Sequence, residues 1–235
     1  MKILCVWEHN GNDCILYAEN FVGAFTRGSA LQICRDKMVG EIKSYLKWLG
    51  EKSTDNFTVE IVQEKSSELN IRDADTDVLF NSESTKLSNA EYEQLKRIAL
   101  KSAQNFLDLY NSIPDKSSTC LQSRQTFYGA IPRTASEMYE HTKNVNSYYF
   151  GEIGVDVDNS GDILECRKRG FELLEKNSDF LQNKVLEGSY GELWSVRKVL
   201  RRFIWHDRIH AKAMYRMAVK TFGDKSIDNI FEFIV

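Results

Sequence analysis

The 235-residue chain is short of the residues that define several protein classes. With 2 prolines and 13 glycines it has too few of either for a collagen-like or proline-rich architecture. Its 5 cysteines, Cys5, Cys14, Cys34, Cys120 and Cys166, are odd in number and widely spaced, and no C-x-x-C occurs. That spacing excludes a dense disulfide framework and a thiolate zinc site. No apolar run approaches the ~18 residues of a membrane span, so no membrane partner is expected. The start turns polar after Trp7, which leaves no apolar core for a secretory signal. A cytoplasmic location follows as the expectation. A net charge of −3 produces no field that would gather nucleic acid or anionic lipid. Gly-rich phosphate loops and the G-x-S-x-G nucleophile pattern are also missing.

What is present is ordinary globular material, 42% hydrophobic and 28% charged. Residues 2–7, 14–18, 21–25 and 57–62 read as strands. Ser29 with Gln32 has capping-box spacing, and Leu31, Cys34, Met38, Ile42, Tyr45 and Leu49 then follow at helical steps up to Gly50. Residues 64–87 are rich in Ser, Asp, Asn, Glu and Lys and read as a solvated linker. Beyond them strands give way to repeated capping boxes: Ser88/Glu91, Thr134/Glu137, Asp162/Glu165 and Ser189/Glu192. Each is followed by apolar residues at helical spacing. The expected fold class is therefore α+β, β-β-β-α-β over residues 1–65, then a linker over 66–87 and an all-α four-helix bundle over 88–235.

The 4 histidines are not scattered evenly. His206 and His210 form H-x-x-x-H within the last helical pattern. One turn apart, their imidazoles share a face about 6 Å from each other. His141 lies on the apolar stripe of an earlier helix. Histidines on facing seams can converge on one ion, and imidazole favours Zn, Ni, Fe or Co over Mg or Ca. Three protein ligands leave positions open, the arrangement of catalytic rather than structural zinc. Arg202, one turn before His206, is the candidate substrate-binding residue, suited to an anionic substrate. Asp207 reads as a surface or outer carboxylate. Arg197, Arg201, Arg208, Lys212 and Arg216 read as the solvated back of an amphipathic helix. Residues 156–163 resemble the start of a calcium loop, but Arg167 stands where the bidentate Glu belongs, so the loop is read as a helix cap. His9 reads as a surface histidine.

The stretch Thr134-Ala-Ser-Glu-Met-Tyr-Glu-His141, together with Val196 through His206-Asp-Arg-Ile-His210-Ala, resembles the DinB/YfiT superfamily over residues 88–225. That resemblance implies an up-down-down-up bundle with a divalent ion on His141, His206 and His210. It also implies a low-molecular-weight thiol as cosubstrate. Phe21-Val-Gly-Ala-Phe25-Thr-Arg-Gly-Ser29, with Glu41-Ile42 and Tyr45-Leu46, is similar to HicB-like antitoxin domains. That similarity implies a recognition or assembly module that meets a protein partner through residues 1–65, or a homodimer. The leading expectation is a metal-dependent S-transferase or hydrolase acting on a small electrophilic substrate. The alternative is a binding or regulatory protein in which the ion is structural.

Overall fold

The computed structural model describes residues 1–53, 56–126 and 129–234. Strands β1 (Lys2–Asn10), β2 (Asp13–Ala18) and β3 (Phe25–Gly28) precede helix α1 (Leu31–Leu49) and strand β4 (Thr58–Ser66). They form one sheet in the order β3-β2-β1-β4. The neighbours β1/β2 and β2/β3 are antiparallel, whereas β4 runs parallel to β1 after the α1 crossover. A two-residue loop closes β1 on β2, with Asn10 paired to Asp13 and Gly11 at φ 57°. Helix α1 stops where Gly50 takes φ 78° and donates its N–H to the Leu46 and Lys47 carbonyls.

Period-two alternation makes both faces of this sheet apolar. Cys14, Leu16 and Ala18 point with Ile3 and Cys5 towards Cys34, Met38 and Ile42 of α1. Val6, Ile15, Tyr17 and Phe25 point the other way. That second face is covered by Ile71, Val78 and Phe80 of the following segment and by Trp205. Residues 66–87, expected to be solvated, are thus packed, with Ile71, Val78, Phe80 and Leu87 all buried.

Four further helices follow: α2 (Asn89–Ser112), α3 (Ala135–Gly151), α4 (Ile163–Leu174) and α5 (Val196–Phe222). Ser88 caps α2 by accepting the Glu91 N–H, and full capping boxes open α3 and α4 from Thr134/Glu137 and Asp162/Glu165. The expected start of the last helix at Ser189 is corrected. Residues 186–194 instead form a small hairpin, β7 (Leu186–Glu187) with β8 (Leu193–Trp194), and Ser195 caps α5 by accepting from the Lys198 N–H. Strand β5 (Gln125–Thr126) pairs antiparallel with β6 (Gly129–Ala130).

The expected all-α four-helix bundle over 88–235 is also corrected: the molecule is mixed α/β, with five α-helices, one four-stranded sheet and small sheets among the described residues. Helices α2 to α5 touch, but α5 does not present one stripe to a bundle and its back to water. From Val196 to Arg208 every residue of α5 is buried. One side meets α2 and α3, and the other meets the sheet and the segment after it. A continuous apolar cluster runs from Ile3 and Leu16 through Phe106, Phe171 and Phe203. The physical reason is charge pairing. Arg197, Arg201 and Arg208, read from sequence as solvated, are buried against Glu91, Glu83 and Glu41. Only the C-terminal part of that stripe behaves as expected, with Lys212 half-buried and Arg216 exposed.

Candidate metal centre

His141 comes from the middle of α3, while His206 and His210 come from successive turns of α5. The ring centroids of His141 stand 5.2 Å from His206 and 4.7 Å from His210, and those of His206 and His210 are 4.3 Å apart. One ring nitrogen of each lies within 4.8 Å of the others. Among the described residues this is the group of three or more His, Cys, Asp or Glu side chains with metal-holding spacing. His206 is buried, His210 half-buried and His141 exposed, so the cluster opens to solvent on its α3 side.

Burial holds His206 and His210 in the neutral, lone-pair-bearing form. Desolvation lowers His141 and pushes His210 down to about 3, with the His141 charge as a further cause for His210. His206 falls well below 6.5, first from burial and then from His210, His141, Arg202 and Arg167. The Nδ1 of His206 is buried without a hydrogen-bond partner. A neutral three-imidazole set with an orphaned ring nitrogen fits a divalent transition ion, which meets both the lone pairs and the cost of burying them.

The residues behind the cluster are partly ones that sequence reasoning missed. Asp207 is not at the surface; it is fully buried and receives both Arg167 terminal nitrogens at 3.2 Å. Burial raises the Asp207 carboxyl, and Arg167 opposes that. Arg167 also donates to Asn146 and lies 3.7 Å over the Phe203 ring. Its place in the pseudo-calcium loop was the visible signal, but its target on α5 was not. The loop carboxylates themselves serve as caps and latches: Asp158 accepts from the Ser160 N–H and Arg169, and Asp162 caps α4. Tyr149 sets its ring 5.9 Å from that of His206 and 5.4 Å from that of Trp194.

Arg202 lies inside rather than on an open rim. It is 8% exposed, donates to the Thr76 carbonyl at 2.9 Å, and has Tyr149, Trp194 and Trp205 rings at 5.3, 5.5 and 5.1 Å. His9 is on β1, stacked on Trp7 at 4.1 Å and 3.1 Å from Glu64, apart from the other three histidines. Among the described residues, no helix is long and apolar enough to cross a membrane. No protein-family model matches the chain, and neither a curated protein nor a solved structure is significantly similar to it.

Proposed function

We propose that the chain is a divalent-metal-dependent enzyme acting on a small electrophilic molecule, with His141, His206 and His210 as the metal ligands. The observation that supports this reading is the convergence of three neutral imidazoles from two helices at a solvent-open edge. A divalent ion there supplies Lewis acidity, which lowers the pKa of a thiol or of water into the neutral range. Burial keeps His206 and His210 unprotonated. The Asp207–Arg167 pair ties the His206 turn of α5 to α4, so the ligand geometry is held from behind. Tyr149 and Trp194 are buried on the inner side of the cluster. The resemblance to DinB/YfiT proteins adds a low-molecular-weight thiol as the candidate cosubstrate.

The test is elemental analysis of purified wild-type protein and of His206→Ala, followed by Co²⁺ substitution and a conjugation screen with generic electrophiles and cellular thiols. Stoichiometric metal in the wild type, its loss in the variant and metal-dependent turnover support the reading. A metal-loaded protein with a closed four-ligand spectrum and no thiol-dependent or hydrolytic turnover replaces it with a structural-metal binding protein.

A further inference from the structure

Helix α5 buries an unusual number of cations, and nearly all of them have an anion. Arg197 meets Glu91 at 2.8 Å, Lys198 meets Glu192 at 2.8 Å and Arg208 meets Glu41 at 2.7 Å. Arg201 is bonded to Glu83, and Arg167 of α4 is paired with Asp207. Such pairing is the general condition for burying charge, because an unpaired ion loses several kcal/mol of hydration. Arg202 is the departure. Among the described residues no carboxylate comes within ion-pair distance of it, and its Nε has no hydrogen-bond partner. The carboxylate whose charge reaches it is that of Glu192, which is bound to Lys198. Two cations therefore share one anion, leaving a single positive charge.

Besides the Thr76 carbonyl and the Tyr149 hydroxyl, which accept from Arg202, the groups around it are donors too. The indole N–H groups of Trp194 and Trp205, whose rings flank the guanidinium, are both buried without partners. Indole and guanidinium offer N–H groups and accept nothing, so only an acceptor can satisfy them. Arg202 precedes His206 by one turn, and Tyr149 touches both.

We infer that Arg202 is an anion subsite of the histidine centre, receiving the carboxylate of a small monoanionic ligand whose other end reaches His141, His206 and His210. The inference rests on the proposed reading of those histidines as the reactive part of the site. A carboxylate is planar, fits between aromatic faces and takes guanidinium N–H groups side by side. One negative charge balances the surplus from Lys198, Arg202 and Glu192. A phosphate dianion would add a second charge beside Glu192.

The experiment uses the full chain, with and without Zn²⁺, and acetate as probe at constant ionic strength against chloride. Acetate is expected to raise the melting temperature of the metal-free protein and to shift the indole N–H resonances of Trp194 and Trp205. Arg202→Met is expected to weaken that response about tenfold or more, the worth of a charge-assisted hydrogen bond. In acetate-free buffer the same variant should melt no lower than wild type, because it removes an unpaired buried charge. Arg202→Lys keeps the charge without the fork and should show a reduced response. His210→Ala should keep the acetate response while losing metal, so a failure of the metal reading is separable from a failure of the subsite. No acetate response in the wild type overturns the inference. So does a stronger response to phosphate, or an Arg202→Met variant that is destabilised equally with and without acetate.

Discussion

The two long sides of α5 treat buried polar groups in opposite ways. Towards the sheet, α1 and the 66–87 segment, Arg201, Arg208 and Arg197 each have a carboxylate, Glu83, Glu41 and Glu91. Towards α3, Arg202 meets the Thr76 carbonyl and no carboxylate among the described residues, and His206 Nδ1 and the Trp194 indole are buried without partners. Nitrogens of Arg201 and Arg208 are also buried without partners, so the difference is one of counterions rather than of hydrogen-bond saturation. Paired charges hold a fold together, while a buried charge without a counterion costs stability. The contrast within a single helix separates scaffold from site.

The largest effect expected among the paired charges comes from breaking the Arg167–Asp207 pair. Arg167→Met leaves Asp207 buried without a counterion, and denaturant titration should show a loss of about 3–5 kcal/mol. A loss below 1 kcal/mol would mean that the pair is not a scaffold element. Next in size is the close approach of sheet and helix. Gly23 sits at φ 94°, where a Cβ would overlap the Ile204 side chain. Gly23→Ala should cost about 1–3 kcal/mol in the same assay, and a neutral result would place α5 further from the sheet. At the N-terminus of α5, Ser195→Ala should cost about 1 kcal/mol and Ser189→Ala much less, since only Ser195 caps the helix. Equal effects would return the helix start to Ser189.

The unpaired side makes a pH-dependent contribution. The folded pKa values of His206 and His210 lie below the ordinary 6.5, His210 at about 3. Below about pH 6.5 the unfolded chain takes up protons that the folded one refuses, so stability falls as pH drops towards 3. In metal-free protein the two imidazoles should therefore add no pH dependence above pH 7, and stability should be lost progressively on acidification. His210→Ala should flatten that slope, and an unchanged slope would assign the acid sensitivity elsewhere.

Several features were legible because their cause is local. The capping boxes at Thr134/Glu137 and Asp162/Glu165 form as spaced, since they need only three residues and a turn. The β-β-β-α-β order is legible too, although the third strand is Phe25–Gly28 rather than residues 21–25. The box at Ser29/Gln32 does not form; α1 starts after Ala30 without a side-chain cap. Ser189/Glu192 has the same spacing as the true boxes, but Tyr190 at φ 62° and the β7–β8 hairpin take that segment out of the helix. A three-residue pattern carries no information about whether the chain continues helically beyond it.

The spacing of His206 and His210 is a property of the sequence alone, because any α-helix puts residues four apart on one face. The same periodicity makes α5 look one-sided, since a stripe of Arg and Lys reads as solvent-facing. Only the tertiary structure decided otherwise. The partners of Arg197, Arg201 and Arg208 lie 106, 118 and 167 residues away in the chain, and no local pattern announces them. The meeting of His141 with the other two histidines, and the lack of a carboxylate within ion-pair distance of Arg202 among the described residues, belong to the same level. Local spacing sets which side chains share a helix face; only the packing of other elements against that face sets whether a charge there meets water, a counterion or neither.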